Sequence, residues 1–118
     1  MGVRIYPVKL SAPHISLSLS ADVTEVLRIS ERLSSSIQEE TGHPLTMTAI
    51  LAKVVGATLR EHPRLNAHLV DDEIREFSDV HLGIAVALED GLIVPVIRSV
   101  EQRGLASIQS ELNDLTSR

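Results

Sequence analysis

The 118 residues predict one α/β domain, and three patterns carry that expectation. Residues 14–20, His-Ile-Ser-Leu-Ser-Leu-Ser, alternate polar and apolar with period two, as a half-buried strand does. Three later stretches repeat apolar residues at helical spacing. Two further runs, residues 80–88 and 92–97, are apolar almost throughout and flank an Asp-Gly pair, a strong short hairpin signal.

Residues 1–12 are poorly patterned and are expected to form a poorly ordered or remodelled arm. The strand at 14–20 follows, with Ile15, Leu17 and Leu19 on one face. Asp22 is placed to cap a helix running to about Glu40, whose stripe is Val23, Val26, Leu27, Ser30, Leu33 and Ile37. Gly42 supplies a left-handed stop, and Pro44 cannot continue the helix. Thr46 is placed to cap a second helix, ended by Pro63, that is apolar nearly all round with Lys53 as the main exception. Such a helix is expected to be buried on more than one side. Residues 65–70 and 73–77 read as a hairpin across Asp71-Asp72. The runs at 80–88 and 92–97 do not alternate with polar residues, so both faces should be covered, with Glu89-Asp90-Gly91 turning between them. Pro95 lacks a ladder donor and belongs at a bulge or unpaired edge. A final helix starts at Gly104 with Leu105, Ile108, Leu112 and Leu115 inward, and Arg118 falls in mid-pattern. This reads as a partial domain.

Composition narrows the function. Tyr6 and Phe77 are the only aromatic rings apart from histidine, so aliphatic residues and Ala must fill the core, and a partner surface would remedy the missing bulk. The formal net charge is -5, and Lys9, Lys53 and the nine Arg residues are scattered, which excludes the clustered basic surface of a nucleic-acid binder. With no Cys, thiol nucleophiles, thiolate metal sites and disulfides are excluded together. Residues 1–10 carry no signal-peptide core, and no apolar run approaches the length that spans a membrane.

Five histidines are the first candidates for chemistry. His14 begins a strand, His43 sits in a turn, His62 and His68 flank the Pro63-Arg64-Leu65-Asn66-Ala67 run, and His81 opens an apolar strand. None has helical metal-ligand spacing with a supporting acid, so no metal site is expected. Glu39-Glu40 and Asp71-Asp72 read as solvated helix-end and turn carboxylates, and Ser34-Ser35-Ser36 as a solvated helix face. The sequence carries no Gly-x-Ser-x-Gly elbow, Walker loop or Gly-x-Gly-x-x-Gly run.

The run from Gly83 to Ile97, Gly-Ile-Ala-Val-Ala-Leu-Glu-Asp-Gly-Leu-Ile-Val-Pro-Val-Ile, is the sharpest signal. With Pro63-Arg64-Leu65-Asn66-Ala67, the apolar second helix and Pro13-His14 in this order, it resembles the catalytic domain of the dihydrolipoyl acyltransferases of 2-oxo acid dehydrogenase complexes. The resemblance covers residues 12–118, read as the N-terminal part of that domain, and is strongest at Gly-Leu-Ile-Val-Pro-Val-Ile. It implies a chloramphenicol-acetyltransferase-like mixed sheet flanked by helices, and homo-oligomers built from trimers. It implies acyl transfer between dihydrolipoamide and coenzyme A, both as substrates, with no cofactor bound covalently in this chain. The cytoplasm, or the mitochondrial matrix in a eukaryote, would be the compartment, with neither nucleic acid nor membrane as partner.

In that family a histidine within a late His-x-x-x-Asp-Gly motif acts as general base, and a hydroxyl donor stabilises the oxyanion. This sequence has no such motif: the nearest imitation, His68-Leu-Val-Asp-Asp72, is followed by Glu73 and comes far too early. No catalytic residue is therefore assigned, and the missing segment of the domain is an expected partner. The resemblance places Asp90, Gly91, Leu92 and Pro95 beside the substrate channel. A non-catalytic assembly or binding module of the same descent is the alternative.

Overall fold

The structure is a computed structural model that describes residues 13–117. The expected arm at residues 1–12 and the mid-pattern Arg118 lie outside the described residues. Three helices, α1 (Thr24–Thr41), α2 (Met47–Glu61) and α3 (Leu105–Thr116), enclose most of the core. Six short strands form three antiparallel pairs: β1 (Ala67–Val70) with β2 (Glu73–Glu76), β3 (Leu82–Gly83) with β6 (Val96–Ile97), and β4 (Val86–Leu88) with β5 (Gly91–Ile93). Single 3-10 turns occupy Pro63–Leu65 and Val100–Gln102. No parallel pairing occurs among the described residues.

Residues 14–20 are the first correction. They form no strand, and Ile15, Leu17 and Leu19 are 86%, 93% and 94% exposed. Period-two patterning prepares a strand, but a strand exists only where a neighbour pairs with it, and none among the described residues does. Asp22 is the second. The residue at the helix cap is Val23, which offers no side-chain bond. Asp22 makes a local turn one residue earlier, its Oδ1 accepting from the Thr24 hydroxyl at 2.6 Å and the Thr24 N–H at 3.0 Å. These two bonds, the hydroxyl first, hold its carboxyl below the usual range. The far end of α1 is as expected: Gly42 sits at φ 77° and its N–H donates to the Gln38 carbonyl at 2.9 Å. The buried stripe is narrower than its pattern, with Ile37 buried, Val26 and Leu33 half-buried, and Val23 and Leu27 exposed.

Thr46 caps α2 as expected, its hydroxyl accepting from the Ala49 N–H at 3.3 Å. The helix is nevertheless buried on one side only. Ala49, Ile50, Ala52 and Gly56 are covered, while Leu51, Val54 and Val55 are exposed. Close backbone approach selects the small-residue face: a Cβ on Gly56 would lie 2.7 Å from Val100 Cγ1 and 3.3 Å from the Glu101 nitrogen. Lys53 turns toward the same 3-10 turn, its Nζ donating to the carbonyls of Arg103 and Glu101.

The first hairpin turns on Asp71 and Asp72 at φ 51° and 64°, the paired positive angles of a type I′ turn between Val70 and Glu73. Asn66 closes its base, donating from Nδ2 to the carbonyls of Phe77 and Asp79 at 3.0 Å each. The second hairpin holds one register throughout, from Leu82 opposite Ile97 to Leu88 opposite Gly91. It is interrupted in the middle, where the Ile84 N–H donates to the Pro95 carbonyl at 2.9 Å and Pro95 has no N–H to return. Pro95 thus sits at a break in the ladder, as its chemistry requires. The expected double cover does not form. Ile97 is buried, but Leu88, Leu92, Ile93, Val94 and Val96 are exposed, because the helices lie against one face of a two-stranded ribbon.

Among the described residues the apolar core is built from aliphatic residues and Ala: Ile37, Leu45, Ala49, Ile50 and Ala52 from the first two helices and the loop between them, Val80, Ile97 and Val100 around the second hairpin, and Ile108 and Leu112 from α3.

Candidate functional site

On α3 the positions Leu105, Ile108, Gln109 and Leu112 follow the spacing i, i+3, i+4, i+7, so the helix carries one amide inward among its apolar residues. Gln109 is buried, and its Oε1 accepts from the Thr46 N–H at 2.8 Å and the Thr46 hydroxyl at 2.9 Å. Its Nε2 donates to Asn113 Oδ1 at 2.7 Å. The cap of α2 is thereby fastened to α3 by a satisfied polar network. That network borders a cleft of about 410 Å³, whose other wall is the strand segment at residues 84–87. Thr48 and Thr116 complete its polar lining. No side chain lining it titrates. Such a cleft can hold a neutral chain bearing hydrogen-bonding groups, but it supplies neither a base nor an acid. Sequence reasoning missed Gln109; the signal was a polar residue at an inward helical position.

The residues expected at the channel lie elsewhere on the same hairpin. Glu89 and Asp90 form the exposed turn, and Gly91 opens β5 at φ 154°, with open space on the side where any other residue would carry its Cβ. Leu92 stands opposite Ala87 and is 48% exposed. Asp90, Gly91 and Leu92 are brought together at the hairpin tip, while Pro95 lies at the ladder break, half-buried. None of the four lines the cleft.

The contacts made by three of the histidines are local. His81 Nδ1 accepts from the Ser99 N–H at 3.0 Å and steadies a residue held at φ 50°. His68 meets the Phe77 ring edge-on, with centroids 5.0 Å apart. His62 terminates α2. No cluster of metal-ligating side chains occurs among the described residues. Glu101 is the notable acid. Burial acts to raise its pKa, but hydrogen bonds from its own N–H, the Val80 N–H and the Gln102 amide, with His81 nearby, outweigh this and hold it below the ordinary value. It is therefore an ionised tie between Val80 and the 3-10 turn, unsuited to donating a proton at neutral pH.

Comparison with known proteins fits this geometry. The family model for the 2-oxoacid dehydrogenases acyltransferase (catalytic domain) matches residues 3–118. The dihydrolipoyllysine-residue acetyltransferase component of the acetoin cleaving system of Bacillus subtilis is 33% identical over 114 residues, 97% of this chain and 29% of that protein. The corresponding component of the Rickettsia bellii pyruvate dehydrogenase complex is 31% identical over 112 residues, 95% of this chain and 27% of that protein. Among solved structures, Azotobacter vinelandii dihydrolipoamide acetyltransferase, studied for a serine, a histidine and an asparagine in its catalytic mechanism, superposes with a TM-score of 0.89 at 32% identity, over 96% of this chain and 47% of that one. The cubic core of the pyruvate dehydrogenase multienzyme complex superposes with a TM-score of 0.88, also at 32% identity, over 95% of this chain and 46% of that one. The chain thus spans under a third of these curated relatives and just under half of these structural neighbours. With the match running over nearly its whole length, this chain belongs to the family of 2-oxoacid dehydrogenase acyltransferase catalytic domains.

Proposed function

We propose that this chain supplies one part of an acyltransferase catalytic domain that passes an acyl group between dihydrolipoamide and coenzyme A. The observation that carries this reading is the family match over residues 3–118, which includes the second hairpin in its single register. A thiol with a pKa of about 8.5 is mostly protonated at neutral pH, so the attack on the acyl carbon needs a base. A positioned base contributes roughly 10²–10⁴-fold in rate. The chain contains no His-x-x-x-Asp-Gly run, and its cleft has no titratable lining. Its part in the reaction is to bind and orient. Asp90, Gly91, Leu92 and Pro95 are proposed as channel wall: the first three are exposed at the hairpin tip, and Gly91 leaves room for close approach.

Substrates diffuse in, and no covalently held cofactor is proposed. A homo-oligomer, a trimer by family resemblance, is the proposed assembly. The cytoplasm is the proposed compartment, or the mitochondrial matrix in a eukaryote; the matched relatives include bacterial proteins and a mitochondrial one from Arabidopsis thaliana. No helix among the described residues is long and apolar enough to cross a membrane.

The test is complementation. The chain is mixed with a family segment carrying His-x-x-x-Asp-Gly, and transfer from acetyl-dihydrolipoamide to coenzyme A is followed. Transfer by the mixture and by neither component alone is expected; a mixture that associates but stays inert overturns the catalytic reading. That outcome would favour the alternative, a non-catalytic assembly or binding module, for which the exposed apolar residues of α2 and the second hairpin speak.

A further inference from the structure

We propose that Lys53 is a positioning residue: from α2 it holds the 3-10 turn Val100–Gln102, and through that turn it fixes the direction in which the second hairpin carries its tip, residues 89–91. That the tip matters to catalysis rests on the acyl-transfer reading; that Lys53 fixes it does not. Lys53 lies half-buried in the middle of α2, between Ala52 and Val54. No carboxylate stands within ion-pair distance of it among the described residues. Its Nζ serves the main chain instead, donating to the Arg103 carbonyl at 2.5 Å and the Glu101 carbonyl at 3.5 Å.

The turn leaves those groups open. Its own closing bonds, from the Gln102 N–H to Ser99 and from the Arg103 N–H to Val100, occupy the carbonyls of Ser99 and Val100. Carbonyls at the end of a helical turn lack a partner, and a cationic side chain can supply one. The other side of the turn is bound to the hairpin. Val80 gives its N–H to Glu101 Oε2 at 3.0 Å and accepts the Val100 N–H at 2.9 Å, while the Ser99 N–H meets His81 Nδ1. Gly56 lets Val100 approach α2. The turn is thus the joint between α2 and the hairpin, and all of these contacts are made inside the described residues.

The hairpin turns that joint into a lever. One register runs from Leu82 opposite Ile97 to Leu88 opposite Gly91. From Ile97 to Gly91 the arm is about 20 Å long at about 3.3 Å per residue. A tilt of about 3° at its base moves the tip by about 1 Å. A misplacement of that size in a reacting site can cost about 10²-fold in rate. Lys53 acts where control of the tip is greatest.

Lys53→Met keeps the aliphatic stem and removes the donor. Because the chain lacks Cys, a pair of spin labels can be attached at Glu89→Cys on the tip and Arg60→Cys on α2, both exposed positions. Lys53→Met should displace or broaden the label distance by about 2 Å or more, the sweep of a base freed by about 6°. Lys53→Arg, which keeps the charge, should restore the parent distance. Circular dichroism checks that the helices persist; should Lys53→Met unfold the chain, Lys53→Gln is measured in its place, with the same displacement expected. In the complemented mixture, without labels, Lys53→Met should lower kcat by about tenfold or more and move KM by less than about threefold. An unchanged label distance would overturn the proposal whatever the activity. A displaced tip with kcat unchanged in an active mixture would overturn its catalytic part. A mixture inert with the parent chain overturns the acyl-transfer reading, and the label distance alone then decides for Lys53.

Discussion

Ile108 and Leu17 are both large aliphatic residues at positions their local periodicity marks for burial, yet Ile108 is wholly buried and Leu17 is 93% exposed. The same contrast separates the three-helix core from the extended segment and the two hairpins. A helix satisfies its own backbone and needs a neighbour only for one apolar face. A strand needs a neighbour for its backbone as well as for its side chains. The helices here find each other, with Val80, Ile97 and Val100 filling the space between them. The strands find one partner each, or none, and Leu69, Ile74, Leu92 and Val96 remain exposed. The difference lies in what stands beside the residues, since the residue types are alike.

Truncation should break the two regions unequally. The largest effect is expected at the core: Ile108→Ala should cost about 2–5 kcal/mol in urea unfolding, and a cost below about 1 kcal/mol would contradict the burial described. Gln109→Leu keeps the volume but strands the Thr46 N–H and hydroxyl, and should cost about 1–3 kcal/mol by the same measurement. Gly56→Ala sets helix propensity against the contact with Val100, and a net loss of about 1–2 kcal/mol is expected; a gain in Tm would show that Val100 yields freely.

Glu101 gives a smaller, pH-dependent effect. Its folded pKa is depressed below the ordinary 4.5, so its stabilisation is present above that value and fades as pH falls through the folded one. Glu101→Gln should flatten the acid limb of a stability–pH curve, and an unchanged limb would remove Glu101 from the account. At the other extreme, Leu17→Ala and Ile74→Ala, measured on dilute chain, should stay within about 0.5 kcal/mol of the parent.

What is legible in the sequence follows the same division. The Thr46 cap, the Gly42 stop, the end of α2 before Pro63, the turn at Asp71-Asp72 and the displacement of Pro95 from the ladder all depend on a few neighbouring residues, and all are legible. Cover is not. The helix α2 reads as buried on more than one side because its Ala, Gly and Val residues do not declare which face a distant turn will approach. Residues 14–20 read as a strand because alternation says nothing of whether a partner is present. Asp22 reads as the cap one position away from the true one, a local error, since an Asx turn and a helix cap use the same side-chain bond. Of the site, the hairpin and its turn are legible, while the Gln109–Thr46 network is hidden because it joins residues 63 positions apart.

The proposed reading gives this chain a binding and orienting part and leaves proton transfer to a segment carrying His-x-x-x-Asp-Gly. The most direct measurement is acyl transfer from acetyl-dihydrolipoamide to coenzyme A by this chain alone, at neutral pH and with varied chain concentration. A rate equal to that of buffer at every concentration is expected. Turnover that rises in proportion to the chain would contradict it, and would mean that one of the chain's histidines serves as a base.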